Sequence, residues 1–514
     1  MNGAESLVRT LLAGGVDHCF ANPGTSEMHF VAALDRVPQM RCILGLFEGV
    51  VTGAADGFYR MAERPASVLL HLGPGLANGL ANLHNARRAG SGIIAIVGQH
   101  ATWHLAHDAP LTTDIEGLAR PLSHVVLTSQ DAGSVAADTA AVIAAAQAQP
   151  GKIATLILPG DAAWNEAAGI ATPLAVAPRA APDSAAIEAA ARVLALGEPT
   201  LLVLAGRALR TDALHFAGRI AGRTGCRIAS QFFSARIERG AGRVDVERIP
   251  YAVDAALAFL HGFRHLILVE TGEPVAFFAY PGKPSLLKPS GCDVHHLTRP
   301  EQDSLAALET LAAAVGARRT DARLQSRADA TWPTGALTPT SIAQALAALI
   351  PENAVLVDES ITTGRDTYAL TAGALPHDTL QNMGGSIGFG TPVATGAAVA
   401  CPDRKVICLE GDGSFMYTLQ ALWTQAREGL DITNIVFANR AYQILKGEFA
   451  GVGAGVPGTK ARDMLEIDRP ALDFVALAKG MGIAATRVGD TGEFCMALAR
   501  AVANAGPHLI EVVL

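Results

Sequence analysis

Short, nearly continuous apolar runs recur along the chain, separated by longer stretches whose apolar residues return at helical spacing. In the N-terminal third, DHCFANPG and RCILGLFEG each read as a strand running into a loop, with ERPASVLLHLGPG a third strand and GSGIIAIVGQH a fourth. PTLLVLAGR and RHLILVE repeat the pattern in the middle, and KVICLE and ITNIVFAN repeat it near the end. Runs that do not alternate with polar residues suit strands covered on both faces, and strands alternating with helices predict parallel sheets with crossover helices. The fold class predicted is therefore α/β. Between the last two strands, SFMYTLQALWTQAREG is predicted as one amphipathic helix, and the Ala-rich stretches 135–148 and 305–315 as ordinary helices.

Two shifts in composition interrupt this rhythm. IATPLAVAPRAAPDSAA, near 170–186, and RRTDARLQSRADATWPTGALTP, near 318–339, read as linkers. They predict three domains, 1–168, 185–320 and 336–514, in keeping with 514 residues at roughly 150 per domain. The middle piece holds no GxGxxG, so no dinucleotide is assigned to it and a Rossmann dehydrogenase is disfavoured.

Composition narrows the partners. A net charge of -8 with no Lys/Arg-rich run argues against nucleic acid, leaving small molecules. Seven scattered cysteines with no CxxC pair predict buried thiols in a reducing compartment rather than a disulfide frame or zinc site. No stretch is long and apolar enough for a membrane span, and the N-terminal MNGAESLVRTLLAGG carries an acid where a secretion signal would be basic, so a cytoplasmic address is expected.

Candidate chemistry centres on GDGS, residues 411–414, at the predicted carboxyl end of KVICLE. Ligands of open α/β sheets bind at that edge. Glycines admit a phosphate, the following helix N-terminus favours an anion, and the Asp412 carboxylate is a hard oxygen ligand for Mg²⁺. Asn439 ends the next predicted strand and could share the ion. Taken alone, GDGS reads equally as a tight turn with Asp412 as a helix cap.

The pairing of GDG with the later Asn resembles the diphosphate-binding motif of thiamine diphosphate (ThDP) enzymes. GSIGFGTPVATGAAVACPDRKVICLEGDGS and NRAYQIL resemble acetolactate synthase large subunits and benzoylformate decarboxylases. The resemblance implies a ThDP fold of three doubly wound parallel-sheet domains: pyrimidine-binding, central Rossmann-like and diphosphate-binding. It implies that Asp412, Asn439 and the Ala441 carbonyl bind Mg²⁺, that Asp412, Gly413, Ser414 and Thr362 lie along the diphosphate, and that Ile387 in GSIGF is the wedge that bends the cofactor. Glu48, in LGLFEGVVTGAADGFYR, matches the acid that protonates the aminopyrimidine. On their own, Glu48 reads as a helix-start acid and Ile387 as core.

Such enzymes decarboxylate a 2-oxo acid and then protonate the resulting enamine or join it to a second carbonyl. Thr25, in ANPGTSE, and His71, in LLHLGPG, match the decarboxylases' substrate-side serine and histidine, although His71 also reads as a hydrogen-bonded loop residue. Where those enzymes carry a second histidine, this chain reads GEPVAFFAYPGKPS, and Phe277, Phe278 and Ala279 offer no proton shuttle, which counts against simple benzoylformate decarboxylation. His100, His104 and His107 in QHATWHLAHDAP read as a polar substrate-side loop rather than a metal site. Acetolactate synthases usually carry FAD in the middle domain; no FAD signature is legible here, which leaves FAD open. The resemblance further implies a homodimer or homotetramer with active sites at subunit interfaces. A silent ThDP-binding subunit is the alternative from another class, and retention of Glu48 argues against it.

Overall fold

The computed structural model describes residues 1–328 and 331–514. The N-terminal part builds strands β1 (His18–Ala21), β2 (Arg41–Leu44), β3 (Ala66–Leu70), β4 (Ile93–Gln99), β5 (Val125–Thr128) and β6 (Ile153–Pro159). They form one parallel sheet in the order β2-β1-β3-β4-β6-β5. The middle supplies β7 (Thr200–Leu204), β8 (Arg227–Ser230), β9 (Ile237–Arg239), β10 (Glu247–Arg248), β11 (His265–Val269) and β12 (Asp293–Thr298). All but β9 form a parallel sheet in the order β10-β8-β7-β11-β12. The last part carries β13 (Ala354–Glu359), β14 (His377–Gln381), β15 (Val406–Gly411), β16 (Ile432–Ala438), β17 (Ala484–Val488) and β18 (His508–Val513), ordered β17-β18-β16-β15-β13-β14-β9.

Every residue of β4, β6 and β16 is buried, as expected of strands covered on both faces by crossover helices. The predicted α/β class holds, with two departures in detail. Strand β9 leaves the middle domain and pairs antiparallel with β14, held there by Arg236 on Asp378 at 2.6 Å and by Gln381 donating its N–H to the Ser234 carbonyl. The helix expected over residues 414–429 is two helices, Asp412–Thr418 and Ala421–Glu428. Leu422 and Trp423 bond back only three residues between them, and the Thr418 hydroxyl turns away to donate to the Gly388 carbonyl at 3.0 Å.

The segment expected as the first linker runs without helix or strand from 167 to 179 and then bridges Gln302 through Ala180. Part of the second pairs on the middle domain through Leu324 and Val244, while its residues 329 and 330 lie outside those described. All seven cysteines are free thiols.

The N- and C-terminal domains meet where helix Glu48–Ala62 crosses helix Gly390–Ala400. The backbones touch. A Cβ at Gly57 would lie 2.0 Å from the Val393 carbonyl oxygen, and one at Gly396 would lie 1.8 Å from that of Ala54. Phe58, Val393 and Phe389 fill one core across the seam. Beside it Arg60, fully enclosed, pairs with Asp56 at 2.7 Å and donates to the carbonyls of Ala235 and Gln381, so one guanidinium ties all three parts of the chain. Gly396→Val should therefore cost about 3 kcal/mol or more in urea unfolding, as overpacking against backbone cannot relax. Gly447→Ala, where a Cβ meets open space, should be neutral or slightly stabilising. Equal stability of the two variants would refute the crossing as a close backbone contact.

Candidate active site

Two groups of side chains collect at carboxyl edges, one on the N-terminal sheet and one on the C-terminal sheet. In the C-terminal group, β15 ends at Gly411 beside Phe437 of β16, so Asp412 and Asn439 emerge from neighbouring strands. Asp412 is buried; its Oδ1 accepts the Gly413 N–H at 2.8 Å and its Oδ2 the Arg440 N–H at 2.5 Å. Arg440 adopts φ +56 to deliver that N–H. Asn439 Oδ1 accepts the Ala441 N–H at 3.0 Å, which aims its oxygen from the same loop.

Burial pushes the Asp412 carboxyl up to about 6, with the backbone donors opposing it, because no cationic side chain pairs with it. A buried carboxylate beside an amide oxygen, both held by backbone N–H groups, is a hard-oxygen donor set suited to Mg²⁺. Among the described residues no cluster of three His, Cys, Asp or Glu side chains is arranged to hold a metal, so side-chain amide and backbone oxygens would have to complete the shell.

Thr362 lies half-buried on the loop after β13, the strand next to β15, and Ser414 is buried in the first turn of helix Asp412–Thr418. The preceding Ile361 holds φ +51, a left-handed conformation costly for a β-branched residue and typical of loops shaped for a ligand. Ile387, half-buried, sits on the loop after β14 at the same edge. Phe277 of the middle domain lies against that loop, its ring 2.6 Å from where a Cβ on Gly385 would stand, so an aromatic ring stands beside the loop that carries Ile387.

The N-terminal group is Glu48, Thr25 and His71. Glu48 begins its helix four residues after β2 ends, is 8% exposed, and accepts the Asn78 side-chain N–H at 3.0 Å on Oε2. Its Oε1 faces Gly75 in the first turn of helix Leu72–Ala89, where a Cβ would approach to 3.0 Å. His71 follows β3 and shares a 2.7 Å hydrogen bond through Nδ1 with Glu27 Oε2, which also accepts the Gly24 N–H at 2.8 Å. Gly24 is obligatory, since a Cβ there would lie 2.2 Å from the ring. Thr25 is exposed on the same short 3₁₀ turn.

Glu27 escaped the sequence reading. It is 3% exposed, burial pushes its carboxyl up, and Oε1 has no partner. The only signal was its place three residues after Gly24, the spacing of a capping box. His100, just past β4, meets His104 edge-on at a ring-centroid distance of 5.4 Å, and His104 meets His107, both in the 3₁₀ helix Thr102–His107, tilted at 5.7 Å.

The comparisons bear on these edges. Residues 1–118 match the family described as thiamine pyrophosphate enzyme, N-terminal TPP binding domain, and residues 368–512 its C-terminal TPP binding domain. Over its whole length the chain is 52% identical to 99% of a Mycobacterium tuberculosis protein named "Putative acetolactate synthase large subunit IlvX". The chain belongs to the thiamine diphosphate enzymes. It is also 30% identical to the benzoylformate decarboxylase of Pseudomonas aeruginosa, covering 97% of this chain and 96% of that one. A Rhodococcus jostii ThDP-dependent 4-hydroxybenzoylformate decarboxylase superposes with TM-score 0.83 at 25% identity, covering 99% of this chain and 98% of that one. Benzoylformate decarboxylase from Polynucleobacter necessarius, at 23% identity, shares the fold with TM-score 0.86, covering 100% and 99%.

This ThDP enzyme is thus acetolactate synthase-like or benzoylformate decarboxylase-like, with three parallel-sheet domains. Among its described residues no helix is long and apolar enough to cross a membrane. Asp412→Ala should weaken ThDP retention by about 100-fold or more in equilibrium dialysis, a loss of about 2.7 kcal/mol. Unchanged retention would show that Asp412 has no part in holding the cofactor.

Proposed function

We propose that this chain is a ThDP- and Mg²⁺-dependent enzyme that decarboxylates a small 2-oxo acid and protonates or carboligates the product carbanion, in the manner of an acetolactate synthase. The observation that carries the reading is the division of labour between the two edges: a buried, singly anchored acid at Glu48 and a hard-oxygen pair of buried Asp412 and half-buried Asn439. On this reading residues 1–168 hold the aminopyrimidine, 336–514 the diphosphate, and 185–320 form the central domain.

When bound, ThDP supplies the sink for the electron pair released as CO₂ leaves. Glu48 would hold a proton at the aminopyrimidine ring nitrogen, with Asn78 fixing Oε2 so that the carboxyl keeps one orientation. Asp412, Asn439 and the Ala441 carbonyl would hold Mg²⁺, with Gly413, Ser414 and Thr362 along the diphosphate. Ile387 would keep the cofactor bent, and Phe277 would exclude water beside it. Thr25 and His71 would face the substrate. The Glu27 hydrogen bond to Nδ1 fixes the ring, so that Nε2 would be the nitrogen presented to substrate.

The Glu27-held His71 also favours a second reading, non-oxidative decarboxylation of the benzoylformate type. Assays with pyruvate, 2-oxobutanoate and benzoylformate, following CO₂ and aldehyde or acyloin, separate the two. Glu48→Gln should retain the cofactor and lower turnover about 10²- to 10⁴-fold on whichever acid reacts. Full activity of that variant would remove Glu48 from its role, and ThDP binding with no turnover of any acid by the unaltered chain would favour a silent subunit.

We also infer a homodimer or homotetramer in which Glu48 and Asp412 of one site come from different chains. Co-refolding Glu48→Gln with Asp412→Ala should then restore about a quarter of full activity, since half of randomly paired dimers are mixed and each holds one intact site of two. No recovery from a mixture shown to contain mixed dimers would place both groups on one chain.

A further inference from the structure

The middle sheet has an unused crevice. Strand β7 is followed by β8 on one side, and β11 by β12 on the other, so the sheet reverses direction between β7 and β11. At such a switch point the carboxyl ends of the two strands open the place where a nucleotide's phosphates meet a glycine turn. Gly206, with φ +55, stands in that turn just past β7, as a phosphate-binding loop would require.

What faces Gly206 is the chain's own carboxylate. Glu270 follows β11, is 8% exposed, and places Oε2 2.1 Å from where a Cβ on Gly206 would stand. That oxygen accepts the Arg207 N–H at 3.1 Å, the backbone donor a phosphate would have taken. Oε1 accepts the hydroxyl of Ser304, at the start of helix Ser304–Ala314, and lies 3.3 Å from the Arg179 guanidinium. Arg179 belongs to the segment joining the first two domains and also donates to the carbonyls of Pro300 and Gln302, so it closes the crevice from outside. Glu270 itself holds φ +54, a left-handed conformation that a residue with a Cβ adopts only when its surroundings enforce it.

We propose that Glu270 takes the place of a nucleotide phosphate in the middle domain, so that this crevice accepts neither FAD nor an adenine nucleotide. The glycine turn, the donated N–H, the helix start and the arginine are all engaged by one carboxylate. FAD, the group the acetolactate synthase likeness implies, does not fit this site.

The test uses the purified chain loaded with ThDP and Mg²⁺, titrated separately with FAD and ADP by equilibrium dialysis, so that its outcome does not depend on turnover. Fewer than about one-tenth of sites should fill at about 100 μM of either nucleotide, corresponding to a Kd near 1 mM or weaker. Stoichiometric retention of either would overturn the proposal. Glu270→Ala should bind ADP at least about tenfold more tightly than the unaltered chain. A Glu270→Ala chain with native circular dichroism that still excludes both nucleotides would overturn the assignment of the carboxylate as occupant. If that variant does not fold, the titration of the unaltered chain decides alone.

Discussion

The contact on which this molecule depends is the crossing of helix Glu48–Ala62 with helix Gly390–Ala400, where backbone meets backbone because Gly57 and Gly396 carry no side chains. Each helix opens at candidate site residues. The first starts with Glu48. The second starts just after Ile387 and runs from the strand next to β13. Asn82 bridges the two approaches, donating to the Gly49 carbonyl at 2.8 Å and the Gly388 carbonyl at 3.2 Å, and Asn85 exchanges hydrogen bonds with the backbone of Ser386. The same packing that buries the seam thus sets the position of the Ile387 loop relative to the N-terminal domain.

A second constraint lies beneath it. Glu359 and Glu410 face each other on β13 and β15 and bind the start of helix Gly390–Ala400: Glu359 accepts the N–H groups of Phe389 and Gly390, both at 2.7 Å, and Glu410 that of Thr391 at 2.6 Å. Carboxylates are favoured at a helix N-terminus, yet two of them buried side by side cannot both be charged at low cost. Burial raises both carboxyls, and repulsion from Glu359 raises Glu410 further. Glu410 directly precedes Gly411-Asp412-Gly413, which makes this pair the mechanical link between helix Gly390–Ala400 and the loop of Asp412.

Much of this was legible in the linear pattern. The apolar runs located the principal strands, because strands covered on both faces must be apolar throughout. Asp412 and Asn439 stood out because each ends such a run, and parallel neighbours present their carboxyl ends on one edge. The break at Leu419 and Gln420 was not legible, since its cause, Thr418 bonding to Gly388, comes from another part of the chain. Glu27 was passed over for the same reason: nothing around it in sequence announces a histidine 44 positions on. Strand β9 is too short to show a period, and its place in the C-terminal sheet comes from Arg236 meeting Asp378.

The sequence by itself determined the α/β class, through local periodicity, and the ThDP family, through the likeness of GDG and the later Asn to a known motif; it also offered the carboxylates and amide at strand ends as candidates for a cation and a proton. Tertiary structure alone decided what each glycine and each buried charge is for. Gly396 serves a helix crossing and Gly206 a carboxylate, although both are the same letter in a Gly-Ala-rich chain. Glu48 and Glu270 are both buried acids that follow strands, but one leaves Oε1 facing Gly75 while the other is engaged by Arg207, Ser304 and Arg179. The physical reason is that a buried polar group acquires its role from the partners that satisfy it, and those partners are brought together only by folding.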